Sequence, residues 1–164
     1  AGFSKIKQNE PVLVDIVHVH RGYVSDCTRM FCSGSLPKKW VDRMEDMIEI
    51  GGMVRSSLDR GEYCSKAWKI GIEASVEMGH RDNLMGMGED QASFLGHSVG
   101  LELDETPVVA KGFDRPMNVG VTMAIEPKVI HSDGCIGVED TWVRSADGME
   151  CLTAGDDFPI LTEW

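Results

Sequence analysis

The chain has 164 residues, 42% hydrophobic and 26% charged, with a net charge of −11. That is one domain's worth of chain with enough apolar content for a core. No apolar run approaches bilayer length, and the acidic balance excludes nucleic acid and anionic membrane as partners, because both require a basic face.

Val12–His20 and Gly22–Cys32 are predicted as the two strands of a hairpin, being rich in Val, Ile and aromatics. A helix starts near Pro37 with Ser35 as its cap, carries Trp40, Met44, Met47, Ile48 and Val54 at helical spacing, and ends by Gly61. Gly51-Gly52 in its middle weakens the case for one straight rod. A second helix spans Cys64–Met78, with Ala67, Trp68, Ile72 and Val76 as its buried stripe and Gly79 as its stop. The glycine-rich Met85-Gly86-Met87-Gly88 lacks the features of a phosphate loop. Next comes Phe94–Asp104, whose end alternates like a strand. A loop through Pro107 and Pro116 leads to strands near 121–130, 135–144 and 149–153, the last two joined at Asp147-Gly148. The order predicts an α+β domain with helices on one face of a curved antiparallel sheet.

Four acids interrupt the apolar strand runs. Asp15 lies within Val12–Val17 and Asp26 follows eleven residues later; Glu126 ends Val121–Ile125 and Glu139 follows thirteen residues later. A turn at His20-Arg21 sets Asp15 opposite Asp26, and a turn through His131–Gly134 sets Glu126 opposite Glu139. Opposed residues on antiparallel strands have Cβ atoms roughly 4.5–5.5 Å apart, so like charges there repel. With few basic neighbours, the remedy is two divalent cations, which balance four carboxylates. The alternative is that an acid points to solvent from a half-exposed strand.

Histidine is the natural further ligand. His18 and His20 share the strand face opposite Asp15, and His80 and His131 fall in loops. His97 lies between glycines inside an apolar run, where an imidazole is held and partly desolvated. The five cysteines (Cys27, Cys32, Cys64, Cys135, Cys151) have no paired spacing and read as small buried hydrophobes in a reducing, cytoplasmic setting.

The order Asp, Asp, His, Glu, Glu, set in Val14-Asp15, Gly22-Tyr23-Val24-Ser25-Asp26-Cys27-Thr28-Arg29, Gly96-His97-Ser98-Val99-Gly100-Leu101-Glu102, Ile125-Glu126-Pro127 and Val138-Glu139-Asp140, resembles the pita-bread metallopeptidases. These are the Xaa-Pro aminopeptidases, Xaa-Pro dipeptidases and methionine aminopeptidases, and the Xaa-Pro branch is the nearest in motif. The resemblance implies the creatinase/aminopeptidase fold and a ligand set of Asp15, Asp26, His97, Glu126 and Glu139 for two divalent ions. Asp15 and Asp26 would chelate one ion, Asp26 and Glu139 would bridge, and His97 and Glu126 would complete the second site. A bridging hydroxide would be the nucleophile and Glu126 the acid-base residue. Hard oxygen ligands with one imidazole favour manganese, with iron, cobalt or zinc compatible.

Three positions depart from the family. Asp104 replaces a histidine seven residues after the ligand histidine, Gly137 replaces the arginine two before the last glutamate, and Val17 replaces a glycine. Asp104 is therefore a second candidate catalytic residue, as a base toward an altered substrate. The expectation is a proline-specific (Xaa-Pro) dipeptidase or aminopeptidase acting on a small peptide or amide, with a homodimer open to it. The alternatives are a metal-retaining relative acting on a small non-peptide substrate and a partner-binding pseudoenzyme. The chain opens on Ala1-Gly2-Phe3 just ahead of Asp15, so residues 1–164 are read as the C-terminal, ligand-bearing part of a pita-bread catalytic domain.

Overall fold

A computed structural model describes residues 3, 5–154 and 159–164. Strands β1 (Val12–His20) and β2 (Tyr23–Cys32) form the expected hairpin, but its turn is centred one residue later. Arg21 (φ 52°) and Gly22 (φ 86°) both take left-handed backbone, the requirement of a two-residue type I′ turn. His20 consequently pairs with Tyr23, Asp15 faces Thr28, and Asp26 faces Val17. Asp15 and Asp26 are diagonal neighbours rather than directly opposed. The shift moves the register by two positions, so both acids stay on one face.

Helix α1 (Lys38–Asp59) runs unbroken through Gly51-Gly52. Its buried face of Trp40, Met47, Ile50, Val54 and Leu58 holds it, because tertiary packing dominates helix stability. Met44 is partly buried against this core, whereas Ile48 is exposed. Pro37 occupies the cap position without a side-chain cap; Ser35 instead donates its N–H to Asn9 Oδ1 (3.0 Å). Helix α2 (Cys64–Glu77) buries Cys64, Ala67, Gly71 and Ala74, packs Trp68 and Ile72 at the core's edge, and leaves Val76 exposed.

Strand β3 (Phe94–Ser98) ends earlier than its alternation suggests. The backbone N–H groups of Leu101 and Glu102 donate to Glu105 Oε1 (2.7 and 2.9 Å), bending residues 99–104 into a loop with Leu101 outside. The expected loop at Pro107 is instead strand β4 (Glu105–Ala110). Proline is tolerated there because β4 is the edge of its sheet.

The expected strand over 121–130 is two strands, β5 (Thr122–Ile125) and β6 (Lys128–His131). Its partner is likewise divided into β7 (Gly134–Gly137) and β8 (Asp140–Arg144), followed by β9 (Met149–Cys151). Thr122 pairs with Val143 and Lys128 with Gly137, so one register continues through the break. Pro127 donates no backbone hydrogen bond, and the hairpin leaves the five-stranded sheet β4-β3-β5-β8-β9 at that point to become a two-stranded extension. Glu126 and Glu139 sit in the break, in the opposed register predicted for them. Strand β10 (Leu161–Glu163) adds to β2 in parallel, a departure from a wholly antiparallel sheet. Helix α1 packs on β5, β6 and β7, and α2 on β3 and β4, so both helices back the surface that carries the acids.

Candidate metal centre

Four of the five expected ligands converge from separate elements. Asp26 comes from β2, His97 from β3, and Glu126 and Glu139 from the two sides of the hairpin break; all four are buried. His97 Nε2 lies 3.4 Å from Glu126 Oε1 and 3.8 Å from Asp26 Oδ2. One ligand atom each from Asp26, His97 and Glu139 falls within 4.8 Å of the others. Glu139 is further fixed by Thr28, whose hydroxyl donates to Oε2 at 2.6 Å. Asp26 is tied through its backbone: its N–H donates to Thr141 Oγ1 (3.3 Å) and its carbonyl accepts from that hydroxyl (2.8 Å).

Asp15 behaves differently. Its strand β1 is an edge, and half of its side chain is in solvent. The premise of four inward acids thus holds for three, with Asp15 at the rim. The premise of few basic neighbours also fails. Lys128 Nζ donates to Glu126 Oε2 (2.7 Å) and Glu139 Oε2 (2.9 Å) and reaches Asp15 Oδ2 at 3.5 Å. Arg29, buried beneath, donates to the Glu139 carbonyl (2.9 Å) and to the Asp140 carboxylate (2.7 Å).

The electrostatics are those of a centre short of positive charge. Burial, with Glu139 and Asp15 nearby, pushes the Asp26 carboxyl up to about 7. Burial and then Glu126 raise Glu139 as well. Burial works against a charged His97, yet Glu126 and the Ser98 carbonyl hold the ring up to about 9. For Glu126, burial is outweighed by His97 and Lys128, and the carboxyl is lowered. Lys128 is raised despite its burial, by Glu126 and Glu139. Buried Asp26 Oδ1 has no hydrogen-bond partner. A buried orphan carboxylate oxygen beside an imidazole and two further carboxylates is the donor set of a hard divalent cation.

Asp104 Oδ1 lies 3.5 Å from His97 Nδ1, on the side of the ring away from the other acids, and is mostly exposed. Its contact with the centre is therefore indirect. The other histidines stay outside: His18 and His20 are exposed, His80 pairs with Asp46 (2.7 Å), and His131 stands edge-on to Trp40. All five cysteines are free thiols. Lys128 is not among the sequence candidates, and Thr28 enters there only as part of a motif. Each lies two residues after a proposed ligand, in a stretch read as strand from the sequence and hence on the same face, and that spacing is the available signal.

The sequence profile of metallopeptidase family M24 matches residues 2–145. A Xaa-Pro dipeptidase from Lactobacillus delbrueckii subsp. lactis is 31% identical over 155 residues, covering 92% of this chain and 39% of that protein. One from Pyrococcus horikoshii is 28% identical over 154 residues, covering 93% and 42%. Among solved structures, the prolidase from Pyrococcus furiosus superposes with a TM-score of 0.84 at 26% identity, covering 95% of this chain and 44% of that one. The X-Pro aminopeptidase from Thermotoga maritima gives 0.85 at 20% identity, covering 96% and 43%; that likeness concerns fold alone. The chain spans about two fifths of the length of the two curated relatives. The expected α+β pita-bread architecture is the one it shares with these structures. With the family profile matched over most of its length and Xaa-Pro peptidases among its relatives, the chain belongs to metallopeptidase family M24, on the Xaa-Pro peptidase side.

Proposed function

We propose that this chain carries the ligand-bearing, C-terminal part of the catalytic domain of a divalent-metal-dependent hydrolase that cleaves peptide bonds preceding proline. The observation that carries the reading is the convergence of buried Asp26, His97, Glu126 and Glu139, with Asp26 Oδ1 unpartnered. The Xaa-Pro specificity rests on the names of the relatives at 28–31% identity. Three carboxylates and one imidazole favour manganese, with iron, cobalt and zinc also suited.

A bound divalent cation supplies an acidified water and a Lewis acid for the scissile carbonyl. Glu126 would carry a proton from the attacking water to the leaving amine: one of its oxygens faces His97 and the other Lys128, and both stabilise its charged form. Thr28 holds Glu139 in place. Burial of the cluster keeps competing water away and strengthens every charge interaction inside it.

The test is a panel of Xaa-Pro and Xaa-Ala dipeptides offered to the full-length protein after chelator treatment, with and without added manganese. Cleavage of the Xaa-Pro members on manganese addition is the expected result. Manganese-loaded protein that cleaves no member of the panel overturns the peptidase reading.

A further inference from the structure

Lys128 and Gly137 face each other across β6 and β7, and their pairing decides what the centre can hold. A Cβ at residue 137 would lie 2.3 Å from Lys128 Cγ and 2.8 Å from Lys128 Cβ. Only glycine leaves room there for the lysine stem, which crosses residue 137 and carries its ammonium group into the acids. Lys128 is thereby largely buried, with 13% of its side chain exposed.

The ammonium group divides the cluster. It takes Glu126 Oε2, Glu139 Oε2 and the rim carboxylate Asp15, while Glu126 Oε1 faces His97. Glu139 Oε2 already accepts from Thr28 as well. On the other side remain Asp26 Oδ1, which is buried and unpartnered, His97 Nε2 and Glu126 Oε1. An ammonium group and a divalent ion cannot share the Asp15-side oxygens, because two cations at hydrogen-bond distance from the same carboxylates repel strongly in a low-dielectric site.

We infer that Lys128 takes the place of one of the two metal ions, so that the chain binds a single divalent ion on the His97 side, through Asp26, His97, Glu126 and Glu139. The inference rests on the metal-site reading above and revises its expected stoichiometry from two ions to one. Asp15 becomes a partner of the lysine and not a ligand, consistent with its exposure. The pair Lys128–Gly137 is what makes this possible: a side chain at 137 would exclude the stem.

Stoichiometry tests this directly. Full-length, chelator-stripped protein is titrated with manganese chloride by calorimetry, and bound manganese is counted by mass spectrometry after desalting. The wild type should bind one ion per chain. Lys128→Met, which keeps an apolar stem over Gly137 and removes the charge, should bind two, and Lys128→Gly should do the same. Adding Asp15→Asn to Lys128→Met should return the count to one. Two ions in the wild type, or one ion in both lysine variants, overturn the inference and leave the metal reading standing. No ion bound by wild type or variants removes both.

Discussion

Thr28 Oγ1 donates a 2.6 Å hydrogen bond to Glu139 Oε2 and so joins the first hairpin to the second across 111 residues of sequence. The backbone repeats the join, with Thr28 N–H donating to the Glu139 carbonyl at 3.2 Å. The hydroxyl therefore aims a proposed ligand as well as closing a structural seam. Thr28→Val keeps the shape and deletes the donor. Outer-shell partners of metal ligands are worth roughly 10–100-fold in affinity, and a buried acceptor losing a bond costs about 1–3 kcal/mol. We expect manganese affinity to fall within that range and chemical denaturation to show the stability loss. A variant with unchanged affinity would make the bond purely structural.

Asp26→Asn should separate binding from stability. In the metal-free protein Asp26 is buried and crowded by Glu139 and Asp15, and its carboxyl is raised to about 7. Removing that charge should raise the melting temperature of the metal-free protein at pH 8. The same change should abolish the stabilisation that manganese gives the wild type. A lower melting temperature in the metal-free variant would contradict this account of a buried, crowded charge.

The metal-free protein should lose stability as pH rises from 5.5 to 8.5. Asp26 is raised from 3.8 to about 7 and His97 from 6.5 to about 9, so across this window the folded state holds more protons than the unfolded one. The Asp26 contribution is lost as pH passes through 7, and that of His97 as it approaches 9. Manganese should stabilise more at pH 8.5 than at pH 5.5, since ligation requires the deprotonated groups. Melting curves at the two pH values, with and without manganese, check both slopes. A metal-free protein more stable at pH 8.5 than at 5.5 would refute them.

Gly137→Ala puts a methyl group where Lys128 Cγ and Cβ lie. Overpacking of this kind costs about 1–3 kcal/mol, and the lysine stem is the group that must yield. Urea denaturation should show a loss in that range. An unperturbed variant would mean that the stem does not cross residue 137.

Asp104→His concerns the substrate. The carboxylate is mostly exposed, beside His97 Nδ1, which already meets the Ser98 carbonyl at 3.2 Å. An exposed contact adds little to ring placement, so metal content should not change. A carboxylate there repels a substrate's terminal carboxylate, whereas an imidazole offers a hydrogen-bond donor to an oxyanion. Xaa-Pro dipeptide turnover should therefore rise several-fold in the variant, as read from kcat/KM. A fall in turnover at constant metal content would give Asp104 a positive catalytic role.

The sequence by itself determined both hairpins, both helices and the identity of the converging acids and histidine. Those features are local: alternation, helical period, Pro37 and Gly79 as boundaries, and charged residues where apolar ones belong. It placed Glu126 against Glu139 because a hairpin's register follows from its turn. It misplaced Asp15 against Asp26 because the type I′ turn uses Arg21 with Gly22, and left-handed backbone at an arginine carries no local signal. The split of the long second hairpin at Pro127, the strand at Pro107 and the exposure of β1 were decided by which strands meet in which sheet. The position of Lys128 belongs to the same class. A lysine two residues after a glutamate is ordinary in a sequence; it comes to sit among buried carboxylates only when Gly137, opposite it, leaves the space for its stem, and that opposition exists only in the paired strands.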